Sequence, residues 1–318
     1  SAVFFARWAI DQGLIGAGAG FVLMLAVGIA ALASAEFALR VGVGQAMNPV
    51  SAAGIAILYI AFFAAHSRYA LISTTTAFGS MAVVTIAGGL LALRYRASAP
   101  AVLSLAGGFG AAFGLVSGEE RPASVFAYTL LLNAGVLAVI MRGRWFALLW
   151  PSLALTLALQ IRWFWSFMSP ANMPAGVGVA LVMGLFYLAL PMAAGDTENR
   201  KILRVSALGG MAPFLFVFFL ATSAKYVDQW PLLFAMIAAL DAAVLAVAVL
   251  FGRGTLLRGA AVFTSLNLAW WALQGLKADR GASLLGSTLF AIFIVSIFGM
   301  AHRVAARLGR VEDIGLRV

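Results

Sequence analysis

The stretch LLALRYRASAPAVLSLAGGFGAAFGLVSGEERPASVFAYTLLLN, which runs from Leu90 to Asn133, decides the fold of this chain. It contains the end of one apolar run, a basic turn around Arg94, a glycine-rich apolar run, an acidic turn at Glu119 and Glu120, and the start of a third run. Apolar runs joined by short charged turns are typical of a hairpin of membrane helices. The rest of the chain repeats this arrangement.

The composition excludes a soluble fold. Hydrophobic residues make up 64% of the 318 residues, charged residues make up 10%, and the mean hydropathy is +1.03, whereas roughly 25% of the residues in a soluble domain are charged. The net charge of +10 does not indicate nucleic-acid binding, because the Lys and Arg side chains are scattered singly and in pairs between the apolar runs. Cysteine is absent, which excludes disulfides, a thiolate nucleophile and a cysteine metal site.

Eleven apolar runs are predicted to be membrane helices, since about 20 apolar residues cross the hydrocarbon core. Helices are favoured over barrel strands because a strand would alternate apolar and polar residues. The apolar segment from Ala2 to Ala9 is too short to cross, and we expect it to be the tail of a helix whose beginning is missing from a longer chain. The predicted spans are Leu14 to Leu39, Val50 to Ala65, Leu71 to Leu93, Ala99 to Val116, Ala123 to Met141, Trp145 to Phe164, Pro174 to Ala194, Val205 to Thr222, Pro231 to Phe251, Gly259 to Leu276 and Gly281 to Arg303.

The basic residues predict the orientation of these spans. Fourteen of the 21 Lys and Arg residues fall in the turns on one side, and seven fall on the other. The positive-inside rule assigns the richer side, and with it the C-terminal tail, to the cytoplasm. Because the loops are at most about ten residues long, residues 1–318 are predicted to form a single all-α, polytopic transmembrane bundle without a soluble domain.

Three segments carry a resemblance to a known family: FFARWAIDQGLIG from Phe4, ALRYRASAPAVLSLAGGFGAAFGLVSGEE from Ala92 and FAYTLLLNAGVLAVIMRGRW from Phe126. They resemble a bacterial family of large predicted membrane proteins described as domain of unknown function 2339. From about Trp163 onward the likeness is limited to hydropathy and spacing. The resemblance implies a multi-pass protein of the inner membrane, usually longer than this chain at both ends, and implies no particular activity.

Asp241 is the most informative single residue, because it stands near the middle of the span from Pro231 to Phe251. Inserting a charged side chain at this depth costs roughly 2.5 to 3.5 kcal/mol. Asp241 is therefore a candidate for a proton or cation relay, or for a polar anchor of a substrate. The alternative is a carboxyl that burial keeps neutral and that forms a hydrogen bond with a neighbouring helix.

Other polar and small residues inside the spans favour helix packing. Asn133 and Asn267 lie within spans and Gln160 nearer an end, and interhelical amide hydrogen bonds stabilise packing by about 0.6 kcal/mol each. Two glycine pairs have the small-xxx-small spacing that lets helix backbones approach closely. The predicted packing residues are Gly16, Gly20, Gly110, Gly114 and Asn133.

Aromatic residues concentrate toward the predicted outer face. Six of the eight tryptophans, including Trp163 and Trp165, fall there. An aromatic belt at the membrane interface is one explanation. The other is an outer-leaflet groove for a lipid or sugar, in which Arg162 grips an anionic head group through its planar guanidinium.

Sites for enzymatic chemistry are poorly supplied. His66 and His302 fall on opposite predicted sides of the membrane, so they cannot share a zinc ion. Glu119 and Glu120 adjoin each other in an outer turn, where a solvated turn explains them better than acid–base catalysis. We therefore expect no metal and no cofactor.

By exclusion, the leading hypothesis is a non-enzymatic inner-membrane protein that binds or moves a lipid-like or other apolar substrate between its helices. Asp241, Arg162, Trp163 and Trp165 are the predicted substrate-binding residues. One alternative is a structural subunit that packs against membrane-protein partners or further copies of itself, and a third is an intramembrane transferase that uses Glu119 or Asp241. Membrane lipids are the expected partners, and nucleic acid is not.

Overall fold

The computed structural model describes residues 16–42, 47–115, 122–195, 199–251 and 254–277, together with 286, 288, 290–292, 294, 295 and 299. Within these residues the chain is all-helical and contains no strand, which confirms the predicted fold class. The helices are α1 (Ala17–Arg40), α2 (Met47–Ser67), α3 (Thr74–Tyr95), α4 (Ser98–Leu115), α5 (Pro122–Gly143), α6 (Leu149–Phe167), α7 (Met173–Ala193), α8 (Arg200–Thr222), α9 (Trp230–Phe251) and α10 (Gly254–Lys277). Short 3₁₀ turns, Phe146–Leu148 and Ala224–Gln229, precede α6 and α9.

Eight of these described helices, α1 to α3 and α5 to α9, are long and apolar enough to cross a membrane. Helix α4 is apolar but shorter, and α10 is not in this set. The last predicted span, Gly281 to Arg303, lies largely outside the described residues, and the segment from Ala2 to Ala9 lies wholly outside them. The count of eleven spans therefore stays a prediction.

Several helices extend beyond the predicted apolar spans. Helix α8 begins at Arg200, not at Val205, and the Asn199 side chain caps it by accepting a hydrogen bond from the Lys201 amide at 3.1 Å. Helical hydrogen bonding does not stop where hydropathy falls, and long basic side chains extend to the membrane surface from a helix end. A predicted span that stops at the first charged residue is therefore shorter than the helix that contains it.

The chain forms two compact units, Ser1–Leu159 and Gln160–Val318. In the first unit α1 packs on α2, and α2 to α4 pack on one another, with α5 against α3 and α4. The Glu36 carboxylate of α1 accepts hydrogen bonds from the Arg94 guanidinium of α3 at 2.6 and 3.0 Å, and Arg40 lies 3.3 Å from it. This ion pair fastens the basic end of α1 to that of α3.

In the second unit α7 packs on α8 and α9, while α10 packs on α8 and α9. Phe164 and Phe216 stack with ring centroids 3.8 Å apart. The 3₁₀ turn before α9 closes one end of this unit, because Lys225 Nζ and Tyr226 Oη each donate to the Met168 carbonyl at 3.1 Å. The unit therefore buries aromatic rings in its interior and satisfies the carbonyl groups at the end of α6.

Candidate functional site

A groove lies between α3, α4 and α5 in the first unit and encloses a volume of 330 Å³. Apolar side chains and small residues form nearly all of its lining. Ile86, Leu90 and Leu131 line the groove and are each more than half exposed, so the groove opens sideways onto the apolar surface of the unit.

Helix α5 supplies one wall of the groove through a single helical face. Tyr128, Leu131, Gly135, Ala138 and Arg142 recur every three or four residues and all line the groove, as the helical repeat requires of residues on one side. Gly135 leaves open space, because no atom lies within 4 Å of the position that a Cβ would take. Gly135 thus leaves room in the groove that a side chain would fill.

Several hydroxyl groups lie close together at one end of the groove. Tyr59 Oη of α2 lies 2.6 Å from Thr85 Oγ1 and donates to the Ser104 carbonyl at 3.1 Å, while Thr85 Oγ1 donates to the Met81 carbonyl at 2.8 Å. The Tyr128 hydroxyl is buried beside the Thr85 hydroxyl. This end therefore offers a polar atom to a ligand within an apolar lining.

A cation stands at the other end. Arg142 lines the groove from the last turn of α5 and is exposed, and no ion pair within the described parts of the chain involves it. Fourteen residues of helix separate Tyr128 from Arg142, which corresponds to about 21 Å along the axis. The site is accordingly a long, narrow, apolar groove with a guanidinium at one end and a hydroxyl at the other.

The predicted outer-face residues point in different directions. Arg162 is exposed and Trp165 is 81% exposed, whereas Trp163 is completely buried and packs edge-on against Phe164 with ring centroids 5.6 Å apart. Residues three apart in a helix share a face, and adjacent residues do not. Arg162 and Trp165 therefore lie together on the surface, and Trp163 belongs to the interior of the second unit.

Asp241 is buried, with 1% of its surface exposed. Thr264 Oγ1 of α10 lies 2.9 Å from each of its two carboxyl oxygens. One turn along α10, Asn267 Nδ2 donates to the Phe263 carbonyl at 2.8 Å and contacts the Phe214 carbonyl at 3.4 Å. The structure thus places Asp241 in a polar contact between α9 and α10, without a contact to Arg162, Trp163 or Trp165 among the described interactions.

The predicted packing residues occupy different environments. Gly20 is buried, and a Cβ on Gly114 would stand 2.5 Å from the Phe63 ring, while Gly16 and Gly110 have no neighbouring atom within 4 Å of a Cβ position. Asn133 joins α5 to α6, because its Nδ2 contacts Thr156 Oγ1 at 2.9 Å and its Oδ1 accepts from Ser152 at 2.7 Å.

The histidine and glutamate candidates are only partly described. His66 Nδ1 lies 3.0 Å from the Ile72 carbonyl in the turn between α2 and α3. His302, Glu119 and Glu120 lie outside the described residues. In the part of the chain that the structure describes, no group of three His, Cys, Asp or Glu residues is placed to hold a metal ion.

The groove was not predicted from the sequence. Arg142 was counted only as a topology charge, and neither Tyr128 nor Gly135 was singled out. The signal was present in the spacing of Tyr128, Gly135 and Arg142, which fall at intervals of two helical turns on one face. The space between three helices, however, follows only from their packing.

A protein-family model described as "Predicted membrane protein (DUF2339)" matches residues 1–239. This match spans both the groove of the first unit and the beginning of α9. The search of curated proteins and the search of solved structures each found no match to the chain.

Proposed function

The chain belongs to the DUF2339 family of predicted membrane proteins, and from this premise we propose that it binds a lipid-like molecule in the groove between α3, α4 and α5. The single observation that carries the proposal is the apolar cavity of 330 Å³ that opens sideways and ends at Arg142. Ligand pockets in proteins measure roughly 300 to 1,000 Å³. The groove lies at the lower end of this range, which suits one acyl chain better than a whole two-chain lipid.

The arrangement of polar groups supports an amphiphile. The ligand's apolar chain contacts Leu90, Leu131 and the other apolar residues that α3, α4 and α5 contribute to the lining. Its anionic head group lies at Arg142, where a guanidinium matches the geometry of phosphate or carboxylate oxygens. In this proposal the ligand is bound and not chemically changed, which is the non-enzymatic role that we propose.

Replacing Arg142 with alanine is expected to weaken retention of an anionic lipid about fivefold. A basic side chain near the membrane surface contributes about 1 kcal/mol to its attraction for anionic lipid, which corresponds to this factor. The measurement is native mass spectrometry of the protein released from lipid particles, titrated with phosphatidylglycerol and, separately, with phosphatidylcholine. The decrease is expected for the anionic lipid and not for the zwitterionic one.

The matched control is Arg162→Ala, which removes an exposed arginine that does not line the groove. It is expected to leave retention at the wild-type level. Lipid loss in the Arg162 variant together with full retention in the Arg142 variant would reject the groove and support the outer-face site. A protein partner bound in fixed stoichiometry, without any bound lipid, would instead support the structural-subunit alternative.

We also propose that the chain lies in the bacterial inner membrane with the basic ends of α3 and α5 in the cytoplasm. The absence of cysteine makes this testable without altering native thiols. Ser67 and Ser98 are exposed near opposite ends of α3, whose 22 residues span about 33 Å. A membrane-impermeant maleimide applied to intact spheroplasts is expected to label the Ser67→Cys variant and spare the Ser98→Cys variant.

Labelling after membrane disruption is the control, since both cysteines should then react fully. The reverse pattern in intact cells would overturn the orientation. Equal labelling of both sites in intact cells would overturn the assignment of α3 as a membrane span.

A further inference from the structure

The second unit contains a buried acid whose partners leave it short of hydrogen-bond donors. Asp241 stands midway along α9 and is 1% exposed, and Thr264 is 2% exposed. Thr264 Oγ1 lies 2.9 Å from both carboxyl oxygens, but its hydroxyl group has a single proton to donate to them. A carboxylate offers about four acceptor positions, so most of them receive no donor among the described residues.

A second buried acceptor that lacks a donor lies on the same face of α10. Asn267 lies one turn beyond Thr264 and is 2% exposed, and its Nδ2 is directed to the Phe263 and Phe214 carbonyls. Its Oδ1 is buried without a hydrogen-bond partner in the described part of the chain. A buried acceptor that lacks a donor carries a substantial desolvation cost. Asn267 therefore adds an unsatisfied oxygen one helical turn from the Asp241–Thr264 contact.

Helix α8 contains a backbone carbonyl that the helix itself leaves without a donor. Pro213 lies inside α8 and has no amide hydrogen, so the Gly209 carbonyl loses the donor that a regular helix would supply. Helix α8 packs against both α9 and α10, and its Phe214 carbonyl already meets Asn267.

The described charged side chains of the surrounding helices form no ion pair with this cluster. The titratable and charged side chains described on the elements packed against α9 are Tyr187 of α7, Arg200, Lys201 and Arg204 of α8, Lys225 and Tyr226 of the 3₁₀ turn, and Arg258 of α10. The arginines of α8 lie in its first two turns, and Lys225 and Tyr226 bind the Met168 carbonyl. Among the described residues, no ion pair involves Asp241.

We infer that Asp241, Thr264 and Asn267 form a buried binding site for a small monovalent cation, either a proton on the carboxyl group or Na⁺ bound by the side-chain oxygens of these residues. The positive charge offsets the cost of an acid at mid-membrane depth and satisfies the acceptors that the protein leaves without donors. The site lies in the second unit and does not depend on lipid binding in the groove. Its chemistry is that of a coupling or regulatory ion, and neither the family description nor the groove assigns it.

The test is the melting temperature of the purified chain in lipid nanodiscs, with NaCl replacing choline chloride at constant ionic strength. Bound Na⁺ stabilises the folded state by mass action, so the melting temperature of the wild type is expected to rise with NaCl. If the cation is a proton, NaCl has no effect. The melting temperature then falls as the pH is raised, because the proton that stabilises the folded state is lost, and infrared spectroscopy detects a protonated carboxyl band.

The variant Asp241→Asn keeps the size of the side chain and is expected to abolish the Na⁺ response in the first case, or both the pH response and the carboxyl band in the second. Thr264→Val removes one oxygen ligand without removing the acid, and it should weaken the Na⁺ response in the first case. Glu36→Gln is the matched control, because it neutralises an acid of the first unit that arginines already pair. Responses to Na⁺ and pH that are identical in the wild type and in Asp241→Asn would overturn the inference.

Discussion

Replacing Gly135 with leucine is expected to reduce lipid retention by about tenfold or more, because the new side chain takes the space that the ligand would occupy. Burial of the ligand's apolar surface contributes about 25 cal/mol per Å² to binding, and this contribution is lost. Gly135 lies two helical turns from both Tyr128 and Arg142, or about 10 Å from each along α5. No atom lies within 4 Å of its Cβ position. The leucine therefore enters the groove at its midpoint without displacing the backbone.

The fold should survive this change, since leucine is a better helix former than glycine by up to about 1 kcal/mol. The measurement is again native mass spectrometry with phosphatidylglycerol, accompanied by the melting temperature. Gly79→Leu is the matched control, because Gly79 lies on α3 with open space around its Cβ position but outside the lining of the groove. If Gly135→Leu keeps full lipid retention while Gly79→Leu behaves as wild type, the groove is not the binding site.

Replacing Gly209 with leucine is expected to destabilise the second unit by about 3 kcal/mol, which is the upper part of the usual range for overpacking a core. A Cβ at this position would stand 2.4 Å from Cγ and 2.6 Å from Cβ of Tyr187. These Tyr187 atoms adjoin the α7 backbone, so they cannot move aside as a flexible side-chain end would. Helices α7 and α8 must separate instead, and they lose the contacts between them.

The expected decrease in melting temperature is about 6 to 12 °C, at roughly 2 to 4 °C per kcal/mol for a chain of this size class. Gly178→Leu provides the control on α7, because no atom lies within 4 Å of its Cβ position. Its melting temperature should stay the same or rise, since the substitution improves helix propensity. A Gly209 variant as stable as the Gly178 variant would contradict the close packing of α7 on α8.

The individual helices could be predicted from sequence because the forces that specify them act locally. Twenty successive apolar residues indicate a span wherever they occur, and every backbone group must be satisfied within the helix in a lipid environment. Hydropathy did not locate the helix ends, as the start of α8 at Arg200 shows. The helical repeat could also have separated Trp163 from Arg162 and Trp165, since adjacent residues do not share a face.

The amino-acid sequence by itself determined that this chain is a bundle of membrane helices, and it singled out Asp241 as an acid at mid-membrane depth. Only the tertiary structure decided that Thr264 is its partner and that Tyr128, Gly135 and Arg142 line one groove with residues of α3 and α4. Hydropathy is a sum over neighbouring residues, so sequence contains it directly. A cavity depends instead on how side chains from distant segments fill the space between helices, and this is settled by packing alone.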